Sequence, residues 1–232
     1  MTSPPLALSV VIPALEAAAA ITGCLASLEE ARAAFGSLEV IVVDGGSRDG
    51  TLRRAAASGA RVIAAPPGRG RQLAAGAAMA GGQWLLFVHA DTRLASGWAS
   101  EAAGFANDPA NAGCAAVFRF ALDHQAAPAR RVEWLVALRC RLLALPYGDQ
   151  GLLLARPTYH DLGGFRALPL MEDVDIVRRI GRRRLRYLRA AAITSARRYR
   201  DAGYLGRGLR NLLCLGLYFL GVSPAFIQRL YG

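Results

Sequence analysis

Lysine is missing from this chain. All 28 basic side chains are arginine, set against 17 carboxylates for a formal net charge of +11. A phosphate loop of the Walker type needs its lysine, so ordinary nucleoside-triphosphatase chemistry is excluded. The turn after the first apolar run also lacks GxGxxG, which removes the dinucleotide fingerprint and hydride transfer with it. Cysteine is sparse and scattered. Cys24, Cys114, Cys140 and Cys214 form no CxxC pair and have no histidine at ligand spacing, so neither a zinc site nor a disulfide framework is implied. No stretch reaches the roughly 18 to 20 uninterrupted apolar residues that span a bilayer. Residues 1–8 lack a basic segment followed by an apolar one, so no secretory leader is expected and the expected location is cytoplasmic. Charged residues make up only 19% of the chain and hydrophobic ones 53%, which excludes a disordered protein.

With 232 residues the chain can bury a sizeable core without cross-links. Short continuous apolar runs at 9–13, 39–43, 61–65 and 84–89 predict strands buried on both faces. Ala-rich segments of helical length separate them, at 17–35, 51–59 and 71–80. The alternation predicts an α/β fold with a mostly parallel central sheet flanked by helices. Farther on, helices are expected at 97–106, 130–145 and 172–183, with strands at 113–122 and 148–155. No linker and no repeat divides the chain, so the expected organisation is one domain, 1–202, with a C-terminal helical tail, 203–232. Twelve arginines lie between Arg178 and Arg210, and an apolar segment follows at 212–222. Such a tail suits either an anionic membrane surface or burial against the domain or a second copy of the chain.

In an open parallel sheet, ligands bind beyond the carboxyl ends of the strands. That places candidates at Pro13, Leu15 and Glu16, at Asp44 and Gly45, at Arg69, Gly70 and Arg71, and at His89, Ala90 and Asp91. Asp44 ends an apolar strand before two glycines. Its carboxylate can accept the imide hydrogen of a uracil or the amino and imino hydrogens of a guanine, while also shaping an Asx turn. Asp91 is the candidate ligand for a divalent cation, Mg²⁺ or Mn²⁺, which would neutralise a nucleotide diphosphate. Glu172, Asp173 and Asp175 open a helix, where carboxylates favour the dipole and one of them could serve as general base on an acceptor hydroxyl. Arg197 and Arg198 could grip a diphosphate with planar forks, or belong to a solvated basic face.

Taken in order, VVIPALE, VVDGGSRDGT, GRGRQLAAGA, LLFVHADT, GDQG, GGF, MEDVD and TSARRY resemble the family-2 glycosyltransferases of the GT-A fold, and among these the small bacterial subgroup with an HADT motif. The resemblance runs from about Ser9 to Tyr199. It implies that Asp44 contacts the nucleobase and that Asp91, matching the last acid of the family's DxD motif, holds the metal. It further implies that Asp173, beside Glu172, deprotonates the acceptor, that Gln150, Gly163, Gly164 and Phe165 line the acceptor side, and that one in-line displacement inverts the anomeric carbon. Two positions depart from the family pattern: Glu16-Ala17 stands where Asn-Glu is common, and His89 where many members carry an acid. The stretch 195–199, SARRY, replaces the QxxRW of processive synthases, which implies transfer of a single sugar.

The expected partners are therefore a nucleotide-diphosphate sugar and a small-molecule or lipid-linked acceptor, with peripheral contact at the inner membrane face and a homodimer both compatible with the tail. Two alternatives stand beside this reading. One is a sugar-nucleotide nucleotidyltransferase, although 13–16 lacks the glycine-rich basic loop of that chemistry. The other is a non-enzymatic basic module for membranes or nucleic acid, although few aromatics interleave with the arginines as stacking platforms, so nucleic acid is not an expected partner.

Overall fold

The computed structural model describes residues 6–231, with the side chains at 198, 201, 202, 205 and 231 left aside. Four apolar runs form the parallel half of an eight-stranded sheet: β1 (Ala7–Ala14), β2 (Ser37–Asp44), β3 (Arg61–Ala64) and β4 (Trp84–Phe87). They lie in the order β3-β2-β1-β4, with Val11 opposite both Ile41 and Phe87. The chain builds outward from β1 to β3, then returns to the other side of β1. The crevice between the carboxyl ends of β1 and β4 is therefore the topological switch point.

The other half is built differently. Beyond β4 come β7 (Leu152–Ala155), β6 (Ala115–Leu122), β8 (Leu185–Thr194) and β5 (Thr92–Leu94), in that order. β7 runs antiparallel to both β4 and β6, β8 is parallel to β6, and β5 is antiparallel to β8.

Helices cover both faces. On one, α1 (Ile21–Leu28), α2 (Ala31–Ala34) and α5 (Trp98–Asn107) bury Ile21, Leu28 and the fully enclosed Trp98 against the sheet. On the other, α4 (Arg69–Met79) and α8 (Glu172–Ile180) bury Leu73 and Ile176. α4 lies close to the strands because of Gly76, where a Cβ would come within 2.3 Å of Val11 Cγ1. The remaining helices are α3 (Thr51–Ala57), α6 (Ala127–Leu143), α7 (Arg156–Asp161), α9 (Arg197–Ala202), α10 (Tyr204–Phe219) and α11 (Pro224–Tyr231). The C-terminal segment is not an appendage in space: Cys214, Leu215 and Ile227 join the same core as Leu73 and Ile176. No helix among the described residues is long and apolar enough to cross a membrane.

The structure departs from the sequence expectations in several places. β3, at the sheet edge, is part-buried rather than buried on both faces, and the helix expected over 172–183 stops at Ile180, where Gly181 takes a φ of 77°. The single helix expected over 17–35 is divided into α1 and α2. Trp98 Nε1 takes the carbonyl of Ser27 at 2.9 Å, and Glu30 accepts the backbone N–H of Gly97, so tertiary bonds claim the break. The strand expected over 148–155 begins at Leu152, because 148–150 forms a single 3₁₀ turn with the Gly148 N–H given to Asp173. β8 occupies part of what reads as a basic stretch, and its Leu185, Leu188 and Ala192 are buried while Arg186 and Arg189 point outward. β5 and α7 are too short to announce themselves.

Candidate active site

Glutamine 72 sets the geometry at the switch point. From the buried face of α4 its Nε2 donates to Ala14 O and to Val43 O, both at 2.8 Å, and so ties together the ends of β1 and β2. The adjoining turns are interlocked. Asp49 accepts the Ala18 N–H, Ser47 Oγ accepts the Glu16 N–H, and Glu16 Oε1 accepts the Arg48 N–H at 2.7 Å. The Thr51 hydroxyl, then the Ala18 and Thr51 N–H groups, hold the Asp49 carboxyl below the usual carboxylate range against the opposing effect of desolvation. Glu16 adopts a left-handed φ of 50°, a conformation that non-glycine residues keep only where their surroundings enforce it.

A cleft of about 1010 Å³ opens over this floor. Among the sequence candidates it is lined by Pro13, Leu15, Glu16, Arg69, Arg71, Ala90, Asp91 and Arg197, together with His89 and Gln72. Asp44 and Gly45 are not among its lining residues, although Asp44 pairs across the sheet with Ala14, which is one of them. Asp44 is 4% exposed, and its Oδ2 accepts the N–H groups of Gly46 and Ser47 at 2.9 Å, the expected Asx turn. Its Oδ1 is buried with no hydrogen-bond partner, an orphaned acceptor. Gly70 has another part: a Cβ there would sit 2.2 Å from the carbonyl oxygen of Arg166, so the glycine lets the loop before α8 close against the start of α4.

The cleft leads into a smaller recess of about 90 Å³, where the two halves of the sheet meet. Asp91 and Arg69 line both spaces, and the recess adds Tyr147, Asp149, Asp173, Tyr199, and Arg207 and Asn211 from α10. Asp173 is oriented by the backbone, with Oδ2 accepting the Gly148 N–H at 2.8 Å. Gly148 leaves room for His89, whose Nε2 would lie 2.7 Å from a Cβ at that position. Glu172 is fully buried, and its Oε1 lies 2.9 Å from Arg69 Nε. The two do not meet at hydrogen-bonding angles, and both Glu172 oxygens lack a hydrogen-bond partner. Burial, then the neighbouring Asp173, raise the Glu172 carboxyl, while Arg69 opposes them. The preceding Met171 holds a left-handed φ of 66°, so a second strained residue borders the site.

Asp149 belongs to this recess, and sequence reasoning missed it. Burial, and after it the charges of Asp173 and Asp91, push its carboxyl up to about 6, with Arg139 resisting. The only sequence signal was its place in GDQG, between a glycine and the glutamine that was singled out. That glutamine, Gln150, is buried; its Nε2 donates to Phe118 O and its Oε1 accepts the Cys140 thiol, so it braces β6 and α6. Gly163 and Gly164 lie in the turn after α7, folded around the Tyr159 hydroxyl, which accepts the Phe165 N–H. Phe165 packs edge-on against Phe87 under Glu172 and Asp173. Arg198 lies in α9 with its side chain outside the described residues.

Among the described residues no group of three or more His, Cys, Asp or Glu converges on a point where it could hold a metal. What the site offers is Asp91 at the junction of the two spaces. A hard cation of the Mg²⁺ type takes one or two carboxylates and completes its shell with substrate phosphates and water, and Asp91 fits that pattern.

Among solved structures, the chain is similar to glucosyl-3-phosphoglycerate synthase from Mycobacterium tuberculosis. They share 23% identity and a TM-score of 0.65, over 94% of this chain and 81% of the other. It is also similar to mannosyl-3-phosphoglycerate synthase from Rubrobacter xylanophilus (17% identity, TM-score 0.62, 93% and 75% covered) and to S. aureus TarS 1-349 (16%, 0.63, 97% and 69%). No curated protein matches. At such identities the likeness establishes the fold alone. The profile of glycosyl transferase family 2 matches residues 9–169, more than half of the sequence. That match sets aside the nucleotidyltransferase and the non-enzymatic module, and the chain belongs to glycosyl transferase family 2.

Proposed function

We propose that this enzyme moves one sugar from a nucleoside diphosphate sugar to an acceptor hydroxyl, with inversion, and that Asp91 would hold a divalent cation at the donor site. One observation carries the reading: Asp91, from the end of the parallel half, and Asp173, from the other half, line the same recess, and Asp91 also lines the adjoining cleft of about 1010 Å³. The M. tuberculosis synthase, crystallised with Mn²⁺ and UDP-glucose, is a precedent for the metal and the donor class.

In this arrangement the orphaned Asp44 Oδ1 accepts a base N–H at the floor of the cleft. Arg69, Arg71 and Arg197 line the diphosphate path, which begins at the start of α4. The cation, held by Asp91 and the diphosphate, would offset the negative charge that develops on the leaving group. Asp173, fixed through the Gly148 N–H, takes the acceptor proton while the acceptor oxygen attacks the anomeric carbon on the face opposite the diphosphate. A single displacement of this kind inverts that centre. The acceptor reaches the recess past Tyr199, Arg207 and Asn211, and a lipid-linked hydroxyl is one such acceptor.

The test is thermal stabilisation by UDP, GDP, TDP and CDP with and without Mn²⁺. One nucleoside diphosphate should stabilise the protein more when metal is present, and Asp91→Ala should abolish the metal-dependent part. Equal stabilisation by every diphosphate, with or without metal, would remove Asp91 from the donor site.

A further inference from the structure

Two neighbouring helices turn apolar side chains to solvent. In α10 the exposed residues Leu209, Leu212, Leu213 and Leu220 recur at helical spacing and form one stripe with Gly216 at its centre. The opposite face carries Cys214 and Leu215 into the core and sends Arg207 and Asn211 to the recess. α6 repeats the plan: Trp134 is 63% exposed and stands with Leu135, Leu138 and Leu142 outside, while Ala129, Val136 and Cys140 are buried. The two helices are joined through Tyr204, which hydrogen-bonds His124 at 2.5 Å just before α6 and packs with Tyr199.

Charge decides what can cover these faces. From residue 202 to the C-terminus the sequence contains no carboxylate. In α6 the only acid, Glu133, is turned to the Leu122 N–H and to Arg130. Arg131, Arg141, Arg210 and Arg229 flank the apolar surface and are exposed. A second copy would set this cationic rim against itself. An anionic bilayer offers phosphates to the arginines and acyl chains to the leucines, with an exposed tryptophan at the headgroup level.

We infer that the outer faces of α6 and α10 form a docking surface for an anionic lipid bilayer. α10 then serves both sides, meeting lipid outside and lining the recess inside. The inference rests on these two faces and holds whatever the donor proves to be.

The tryptophans make the test direct, because Trp84 and Trp98 are buried and Trp134 alone is open to solvent. The full chain is mixed with vesicles of phosphatidylcholine containing one quarter phosphatidylglycerol, or of phosphatidylcholine alone. Expected are co-sedimentation with the anionic vesicles, at least tenfold weaker binding to the neutral ones and to anionic ones in high salt, and a blue shift of Trp134 emission. Leu213→Glu/Leu220→Glu should lose at least tenfold in vesicle binding while keeping its melting temperature and its nucleotide-induced shift in that temperature. Trp134→Ser should abolish the emission change. Failure to bind anionic vesicles, equal binding to neutral ones, or a dimer in sedimentation equilibrium that the double variant dissolves would overturn the inference. The nucleotide shift reads the donor site separately in each protein.

Discussion

The two halves of the sheet hold the same cleft by different means. On the parallel side, strand ends are locked to one another: Gln72 joins β1 to β2, and the turns after them exchange the side-chain bonds of Glu16, Ser47 and Asp49. On the mixed side, functional groups come from a 3₁₀ turn, a helix start and a C-terminal helix, and several are held at a cost. Glu172 is buried without an aligned partner, Met171 is left-handed, and Asp149 resists ionisation. Locked strand ends make a rigid floor, whereas a wall assembled from separate turns and helix ends can change one part at a time.

That contrast can be broken by experiment. The largest effect is expected from Asp91→Ala, with transfer down by about 10³-fold, as for loss of a key electrostatic contact, together with loss of metal-dependent nucleotide binding. Asp173→Asn should cost about 10² to 10⁴ in kcat and leave nucleotide affinity unchanged. If it weakens nucleotide binding as much as turnover, the division between a donor side and an acceptor side fails.

Asp149→Asn should do the opposite to stability. The folded-state pKa of Asp149 lies above the unfolded value, so the folded protein holds a proton that the unfolded chain releases, and stability declines as pH rises from about 4 to 6. Removing the charge should therefore stabilise the protein by up to about 3 kcal/mol at pH 8, with the gain vanishing near pH 4. Urea melts across that range in metal-free buffer would show it, and a gain independent of pH would mean that Asp149 is not the group responsible. On the rigid side, Gly76→Ala should cost about 1 to 3 kcal/mol by overpacking against Val11 and Val43, measured as a shift in the urea midpoint.

The parallel half was readable because β1, β4 and the second half of β2 are continuous apolar runs buried on both faces, while β3, at the edge of the sheet, is only part-buried yet still an apolar run. β8 was not readable. Its arginines face solvent and its small residues face the sheet, and neither β-branched content nor a clean run marks it. Asp91 and Asp173 could be found from their positions after an apolar run and at a helix start. Asp149 could not be weighed, because what distinguishes it is the closeness of Asp91 and Asp173, both far away in sequence. Gln72 shows the same limit: a glutamine in an Ala-rich helix carries no sign that two strand ends will meet at its amide.

The short strand after Asp91 is fastened to the last strand of the chain, where the Asp91 carbonyl accepts the Ser195 N–H and the hydroxyls of Thr92 and Thr194 meet at 2.6 Å. Some hundred residues separate these partners. During synthesis the nucleotide floor can form early, but Asp91 acquires its fixed frame only after the segment beyond residue 195 has left the ribosome, and folding of the whole is set by its most distant pairing. A nascent chain of this enzyme should therefore be inert until β8 and the Ser195 segment have emerged.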